Sequence, residues 1–303
     1  MKKAEKGLTI QQYLKQIAGF SNAQIRSMKF TENGICLGGQ RARVTTRLSE
    51  GDVLEVLLET KNSSSAHLLS FEQMPDILYE DADVIAVNKP AGMAVHPSHG
   101  HYQDTLANQL AYYFRKNTQQ VEIHSIGRLD LETSGIVLFA KHRAAAARLS
   151  RQREDGRLQK TYLAICSGIF AEKNGTLNGA IAPLPGSLMK MCVSKDGKPA
   201  VTHYQVQKQY MEAALVQLTL ETGRTHQIRV HMADAGHPLI GDRLYFADTD
   251  QKADVDAENC FTGIKRAALH ASRICFYQPF EGKRITVEAP FPEDMKKCLF
   301  RDE

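Results

Sequence analysis

Residues 128–140 read RLDLETSGIVLFA, a charged and hydroxyl-rich octapeptide followed by an uninterrupted apolar run. Ile123 and Ile126 come before it, so the charged residues stand between two segments that are typical of buried strands. Arg128 and Asp130 are two positions apart, and such positions point to the same side of a strand. Both side chains can therefore enter one cleft, or they can form a salt-bridged turn between the strands.

The composition sets wide limits on the class of protein. The 303 residues suffice for one large domain with a small one, or for two medium-sized domains. Hydrophobic residues make up 43% and charged residues 24%, which is ordinary for a soluble protein with a sizeable core. The net charge of +4 neither requires nor excludes a nucleic-acid partner.

Cysteine spacing and the N-terminal segment indicate where the protein resides. The cysteines are scattered without a C-x-x-C pair, which favours reduced thiols over a zinc site or a disulfide framework. The opening MKKAEKGLTIQQYLKQ lacks the apolar stretch of a signal peptide, and no segment is long enough to span a bilayer. We therefore expect a cytoplasmic protein with no membrane partner.

Residues 1–60 are predicted to form a small α/β domain. Thr9 and Ser21 can each cap a short helix, and the segments GICLGG and VLEVLLE read as strands. Residues 61–73 begin with a serine-rich polar stretch that is typical of a linker between domains.

Residues 74–303 are predicted to form a second, larger domain. Its strands include DVIAVNKP and KTYLAICSG, and its helices include HRAAAARLSRQRE and a segment capped by Thr225 that runs to Ala235. The Asp-Gly of KDGKPAVTHYQV predicts a hairpin. Many strands, few helices and short turns indicate an α+β fold with a mainly antiparallel, mixed central sheet and flanking helices.

The segment TGRTHQIRVHM places an arginine at the edge of a predicted core. On a helix over 226–235, Arg229 lies beside the apolar stripe that contains Ile228 and Met232. A buried guanidinium without a counter-ion is costly, so a carboxylate at the edge of the sheet is its expected partner. The alternative is an arginine whose stem is buried while its charge reaches water. Arg224, at the turn before the helix, is expected to be more exposed.

Two other segments carry polar groups that can face the same cleft. In QKTYLAI, Lys160 and Tyr162 share one side of a strand, where the tyrosine lines either the cleft or the core. The run HPSHGH, with His96, His99 and His101, has a spacing that can bind metal. Its prolines and glycine favour a substrate-facing loop, because no acidic residues accompany it as partners for metal-bound histidines.

Motifs for nucleotide hydrolysis and dinucleotide redox chemistry are missing from the sequence. It contains no G-x-S-x-G, no P-loop lysine motif, and no G-x-G-x-x-G that opens a helix after a strand.

The motifs taken in order resemble the RluA-type pseudouridine synthases over residues 76–292. The matching segments are NKPAGMAVHPS, GRLDLETSG, QKTYLAI, GKPAVTHYQV, TGRTHQIRVHM, GDRLYF and LHASRICF. Residues 8–58 resemble an S4-type RNA-binding domain, although GLTIQQYL lacks the usual R-L-D start. Gly127 stands where many relatives have histidine. The resemblance implies an enzyme that isomerises uridine in RNA to pseudouridine without a metal or other cofactor.

The resemblance assigns roles to individual residues. Asp130 corresponds to the invariant aspartate, Arg229 to its basic partner, Tyr162 to the active-site tyrosine and Arg128 to the residue that replaces the extruded base. Substrate binding is expected from Arg128, Lys89, His96, Thr133, Lys160, Arg224 and His226. Phosphate contacts of the S4-like domain are expected from Arg26, Lys29, Arg41, Arg43 and Arg47.

These roles agree with the chemistry of the side chains. Extruding a stacked uridine costs about a few kcal/mol, and a planar cation such as Arg128 can fill the gap. An ion pair with Arg229 opposes the rise in pKa that desolvation and RNA phosphates impose on Asp130. Tyr162 can stack on uracil and transfer a proton. Asp130 can attack C1′ or remove the C2′ proton to give a glycal, and we favour the glycal route.

Two other functions remain alternatives. The first is a non-catalytic RNA-binding or ribosome-assembly factor, against which the retained Asp130, Tyr162 and Arg229 argue. The second is a carboxylate-based glycosidase, which needs a second acid and no basic RNA-binding surface. The substrate is ribosomal RNA or transfer RNA, and a monomer is sufficient.

Overall fold

A computed structural model gives the structure of this protein for most of its residues. The described ranges are 7–20, 22–57, 68–98, 100–119, 121–187, 189–246 and 264–299. The predicted cap at Ser21, the serine-rich part of the predicted linker and His99 lie outside these ranges. Among the helices that the structure describes, none is long and apolar enough to cross a membrane.

Helices and strands follow one another along the chain as a mixed α+β set. The described α-helices are α1 (Ile10–Gln12, continued by a π-helical turn over Tyr13–Ile17), α2 (Asn22–Phe30), α3 (Leu106–Lys116), α4 (Arg143–Glu154), α5 (Gln227–Asp234) and α6 (Glu293–Leu299). The strands are β1 (Ile35–Leu37), β2 (Gln40–Arg41), β3 (Leu54–Val56), β4 (Asp76–Glu80), β5 (Val84–Lys89), β6 (His124–Ser125), β7 (Ser134–Ala140), β8 (Gln159–Ser167), β9 (Asn174–Asn178), β10 (Ile181–Pro183), β11 (Met191–Val193), β12 (Val201–Gln209), β13 (Ala213–Leu220), β14 (Leu269–Tyr277) and β15 (Arg284–Glu288).

The N-terminal residues 7–57 pack around a core of their own. Thr9 caps α1 as predicted, because its Oγ1 accepts the Gln12 N–H (3.2 Å) while the Gln12 side chain accepts the Thr9 N–H (2.9 Å). β1 pairs antiparallel with both β2 and β3. The core includes Ile10, Leu14, Phe20, Ile25, Met28, Ile35, Val44 and Leu48.

Helix α4 connects this N-terminal unit to the rest of the molecule. Ala144 of α4 completes the N-terminal core. One turn later, Arg148 donates from Nε to the carbonyl of Ala18 (2.5 Å) and from Nη1 to the carbonyl of Pro279 (2.6 Å). The guanidinium also lies 4.1 Å from the centre of the Phe280 ring. Residues on both sides of α4 are therefore held by a single arginine.

The larger unit is built on one ten-stranded sheet, as the strand-rich sequence predicts. Its order is β4-β5-β7-β14-β8-β13-β12-β9, with β6 added to β7 and β15 added to β14. β7 and β14 run parallel, and the other pairs in this sheet are antiparallel. The predicted mixed, mainly antiparallel sheet with flanking helices is confirmed.

β7 lies in the middle of this sheet and is buried along its whole length. Val137 and Phe139 face the core that contains α3 and α5, whereas Ile136 and Leu138 face the core that contains α4. A strand covered on both faces gives a continuous apolar run rather than an alternating one. The IVLFA run therefore reflects this double burial, and the prediction of a buried strand is confirmed.

One strand pairing predicted from the sequence differs from the structure. The hairpin predicted at Asp196-Gly197 is wrong, because β11 pairs with β10 and β12 pairs with β9 and β13. The turn instead brings Lys198 to Ile181, whose carbonyl accepts the Lys198 N–H (2.9 Å). Residues 68–71, inside the predicted linker, are bound to α3: the Asn108 side chain donates to the carbonyl of Leu69 (2.7 Å).

Candidate active site

The RLD residues lie in a loop between β6 and β7 rather than on a strand. The loop ends where the N–H of Thr133 donates to the carbonyl of Asp130 (3.1 Å). Gly135 then has a φ of +108°, and a Cβ at this position would lie 2.3 Å from the carbonyl oxygen of Ala271 on β14. The parallel pairing of β7 with β14 thus requires a glycine at the exit of the loop.

The Asp130 carboxylate faces the first turn of α5. Its Oδ2 lies 3.9 Å from Nη1 of Arg229 and 3.9 Å from Nε2 of His226, and its side chain is 21% exposed. These distances exceed the usual hydrogen-bond range of roughly 2.7–3.2 Å. Asp130 therefore interacts electrostatically with Arg229 but accepts no hydrogen bond from it, so its oxygen lone pairs remain available.

Arg229 has a closer partner than the one predicted. Its Nε and Nη2 donate to the two carboxylate oxygens of Asp242 (2.6 and 2.7 Å), and Asp242 is completely buried. Burial acts to lower the pKa of Arg229, but Asp242, Asp130 and Glu132 together raise it above its ordinary value. Arg229 thus lies beside Asp130, the expected carboxylate, but its bidentate partner comes from the GDRLYF segment.

His226 begins α5 with an unusual backbone conformation. Its φ of 55° is left-handed, and its side chain makes no capping hydrogen bond. The predicted cap by Thr225 is therefore wrong, and α5 ends one residue before Ala235. The Thr225 hydroxyl instead accepts a hydrogen bond from Nη2 of Arg128 (2.8 Å).

The side chain of His226 is held by Tyr245. Its Nδ1 lies 2.8 Å from the Tyr245 hydroxyl, which also accepts the N–H of Met191 (2.9 Å). Burial lowers the pKa of His226 against the opposing charge of Asp130, so the imidazole is neutral. If Nε2 carried no hydrogen, its lone pair would face the negative Asp130 carboxylate and be repelled. We therefore assign the ring hydrogen to Nε2, and the Tyr245 hydroxyl then donates to Nδ1.

Tyr162 approaches the carboxylate from β8. The residue pairs with Leu218 and Ala271 and is buried in the core beneath the cleft. Burial, followed by the charge of Asp130, raises the pKa of Tyr162 well above its ordinary value. The phenol therefore stays protonated and is a poor base.

Two of the residues expected to bind substrate are buried. Lys89 has no exposed surface, and its Nζ donates to the carbonyls of Pro90 (2.9 Å), Met93 (2.7 Å) and Leu131 (3.2 Å). The Thr133 side chain is also buried. The structure therefore places Lys89 and Thr133 inside the protein, beneath the loop around Asp130.

The other residues expected to bind substrate are spread around the cleft. Arg128 is exposed at its edge, and Arg224 is exposed but donates to the carbonyl of Pro199 (2.9 Å). Lys160 is half-buried with its ammonium beside Gly127. His96 is bonded through Nε2 to the hydroxyl of Ser125 (2.6 Å), at the start of the loop.

The histidine run does not converge in the described residues. His101 is bonded through Nδ1 to Asp104 (2.7 Å), whereas His96 turns toward Ser125. Within the ranges that the structure covers, which leave out His99, no group of three potential ligands can hold a metal ion.

The basic side chains of the N-terminal unit are exposed. Arg47 donates to the carbonyl of Gly7 (2.7 Å), and Arg41 donates to the carbonyl of Lys29 (3.4 Å). The five predicted phosphate contacts that lie on this surface are Arg26, Lys29, Arg41, Arg43 and Arg47.

Comparison with known proteins gives one consistent result. Residues 83–234 match a family described as RNA pseudouridylate synthase. The chain is 39% identical over 251 residues to the uncharacterized RNA pseudouridine synthase YhcT of Bacillus subtilis, covering 82% of this chain and 78% of the relative. It is 38% identical over 267 residues to the ribosomal large subunit pseudouridine synthase D of Neisseria meningitidis, covering 87% and 67%. The solved structure of human RNA pseudouridylate synthase domain containing 1 aligns with a TM-score of 0.58 at 26% identity, over 79% of this chain and 90% of that one.

Proposed function

Since this chain belongs to the RNA pseudouridylate synthase family and isomerises uridine in RNA to pseudouridine, we propose that its substrate is large-subunit ribosomal RNA and that Asp130 is its catalytic carboxylate. The ribosomal substrate is supported by a relative named ribosomal large subunit pseudouridine synthase D. Transfer RNA is the alternative substrate. The role of Asp130 is supported above all by its position, partly exposed and 3.9 Å from both Arg229 and His226.

Arg229 places a fixed positive charge 3.9 Å from the Asp130 carboxylate. Desolvation and nearby phosphates both raise the pKa of a carboxylate, and a fixed positive charge opposes that rise. Because Asp242 binds the Nε and Nη2 edge of Arg229 through two hydrogen bonds, the guanidinium is fixed with Nη1 toward Asp130. The lone pairs of Asp130 stay free for the substrate.

Asp130 starts the reaction by removing the proton from C2′ of the extruded uridine. The C2′–H electrons form the C1′=C2′ double bond of a glycal, and the electron pair of the glycosidic bond leaves with N1 of uracil. After the base has rotated, C5 bonds to C1′ and Asp130 returns its proton to C2′. A proton then moves from C5 to N1 through solvent, which restores the planar uracil ring. The alternative is attack on C1′ by Asp130, which forms an ester in place of the glycosidic bond.

His226 and Tyr162 position the reacting groups in this scheme. The Nε2–H of His226 points toward Asp130 and can donate to the carboxylate or to a substrate oxygen next to it. Tyr162 offers an aromatic face for uracil, but its raised pKa makes it unsuited to remove the C5 proton. Asp130 carries the C2′ proton in both directions, and the proposed route calls for no metal or other cofactor.

Arg128 serves the extrusion of the base. Its exposed guanidinium donates to the Thr225 hydroxyl in the structure. Replacing this one hydrogen bond by a bond to water or RNA frees the side chain. A planar cation can then stack in the gap that the uridine leaves, which offsets part of the unstacking cost of about a few kcal/mol.

The N-terminal unit acts as an S4-like RNA-binding domain in this proposal. Residues 1–60 would form this domain, 61–73 the linker and 74–303 the catalytic domain. Its five exposed basic side chains supply phosphate contacts. We propose a cytoplasmic monomer, and the scattered cysteines without a C-x-x-C pair support the cytoplasmic location.

The substrate is tested by mapping pseudouridines in cells with and without this gene, through carbodiimide adducts and primer extension. Loss of one or more signals in large-subunit ribosomal RNA, restored by the wild-type gene but not by Asp130→Asn, is the expected result. Loss confined to transfer RNA would overturn the ribosomal substrate. Restoration by Asp130→Asn would favour a non-catalytic assembly factor.

A further inference from the structure

Two cations flank the residue that precedes the RLD sequence. Gly127 has a φ of +82°, and a Cβ at this position would lie 3.6 Å from Nη1 of Arg153 and 3.8 Å from Nζ of Lys160. Arg153 comes from the last turn of α4 and Lys160 from the start of β8. Two separate elements thus bring positive charge to one point beside the catalytic loop.

Neither cation has an acidic partner among the residues that the structure describes. The nearby Asp155 is occupied by Arg157, whose Nη2 donates to it (2.6 Å). Burial and then the charge of Arg153 lower the pKa of Lys160 to about 8. Holding two like charges together costs free energy that a bound anion would recover.

We propose that Arg153 and Lys160 form a phosphate-binding site for one phosphodiester of the substrate RNA, next to the extruded uridine. The assignment rests on the proposed RNA-modifying function. Gly127 leaves the space open, because the would-be Cβ meets only the ends of these two flexible side chains within 4 Å. The RNA backbone can therefore approach this side of the loop, where both flexible side chains can reach the oxygens of one phosphate.

The position of the site explains what the contact does. Gly127 directly precedes Arg128, which lies at the edge of the cleft and bonds across it to Thr225. A phosphodiester held at Gly127 fixes the RNA backbone at the point from which Arg128 reaches the gap left by the uridine. A guanidinium binds phosphate through two N–H groups while an ammonium acts as a point charge, so the pair supplies both direction and attraction.

Binding of a large-subunit ribosomal RNA transcript by the full-length chain, measured at several salt concentrations, tests this site. The variants are Arg153→Ala, Lys160→Met and the double variant. We expect the double variant to lose affinity on the order of tenfold and the slope of log K against log salt to fall by about 0.7–0.9, the value for one phosphate contact. Because both side chains share that phosphate, the two single effects should not add.

Arg151→Ala is the matched control for each single variant, since Arg151 is exposed on the same helix and its loss removes the same single positive charge. Double-variant binding indistinguishable from that of Arg151→Ala, with an unchanged thermal midpoint, would overturn the site. Unchanged RNA affinity with loss of inorganic phosphate binding would assign it to a free ion instead. If the wild-type enzyme modifies no RNA at all, the proposed function fails. If the wild-type enzyme is active and the variants bind RNA as tightly as it does, only the phosphate site is refuted.

Discussion

Positively charged side chains are hydrogen-bonded and buried at the floor of the cleft, whereas at its rim they have no carboxylate partner among the described residues. The floor consists of Arg229, Asp242, Lys89 and Tyr162, whose side chains are buried and mostly hydrogen-bonded to fixed partners. The rim consists of Arg128 and Arg153, which are exposed, and Lys160, which is half-buried. None of the three has a carboxylate partner among the described residues. We therefore propose that the floor governs the chemical step and that the rim governs the affinity for RNA and its dependence on salt.

Breaking the floor at its strongest contact should have a large effect on catalysis. Asp242→Asn removes the charge that neutralises a buried guanidinium, which destabilises the fold by about 3–5 kcal/mol. We expect kcat to fall by about 10²–10³, because Arg229 is then free to leave Asp130. Denaturant unfolding and single-turnover isomerisation measure the two losses.

Glu80→Gln is the control for the Asp242 variant, since Glu80 pairs with Lys141 away from the cleft. A full kcat in Asp242→Asn, at a temperature where the variant is folded, would show that the bidentate pair is dispensable.

Lys89→Met tests the floor through the pH dependence of the free energy of unfolding. Burial, with a smaller effect of Arg266, lowers the pKa of Lys89 to about 7, whereas the unfolded chain keeps the ordinary value near 10.5. Between these values the unfolded state binds more protons, so the free energy of unfolding should rise with pH from 7 toward 10. The methionine variant should lose this rise, and kcat should fall by about tenfold as the loop around Asp130 loosens.

The measurement for Lys89 is urea unfolding at pH 7, 8 and 9. Equal slopes against pH in wild type and variant would contradict the assignment of the titration to Lys89.

Tyr245→Phe tests the orientation of His226. The ring that packs 5.1 Å from the Arg229 guanidinium is retained, while the hydroxyl that fixes the imidazole is lost. We expect a decrease in kcat of about fivefold with little change in KM, because the hydrogen on Nε2 is no longer enforced. Tyr113→Phe, which removes a hydroxyl bound to Glu80, is the matched control. Identical kinetics for both variants would argue against a positioning role for Tyr245.

Arg128→Ala tests the rim and should have the smallest effect. RNA affinity is expected to fall by about threefold and the salt slope by about 0.7–0.9 if the guanidinium contacts one phosphate in the complex. The fold should be unaffected, since Arg128 is exposed. The measurement is RNA binding at several salt concentrations. A reduced salt slope in Asp242→Asn but not in Arg128→Ala would contradict the proposal that the rim, and not the floor, sets the salt dependence of binding.

Local patterns predicted the elements but not all of their partners. The IVLFA run and the Thr9 capping box gave β7 and α1 correctly, because burial on both faces and capping leave signals within a few residues. The Asp196-Gly197 turn was recognised, yet its strands pair elsewhere, since pairing depends on the whole sheet.

The same limit applies to the site. Asp130, Tyr162 and Arg229 meet as the resemblance implied. The role of Asp242 and Tyr245 was missed, although both lie in the GDRLYF segment, because nothing local shows that this segment folds onto α5. Lys89 was expected to face RNA, but a lysine after a buried strand gives no sign that three carbonyls surround it.

The most direct test of the central claim is the single-turnover rate of Asp130→Asn on RNA, with the RNA dissociation constant measured on the same preparation. Asparagine keeps the shape of the side chain and removes the ionised carboxylate. We predict a loss of at least about 10³-fold in rate with affinity unchanged within about twofold, while the exposed Asp155→Asn remains fully active. A rate within about tenfold of wild type would contradict the role of Asp130 as the catalytic carboxylate.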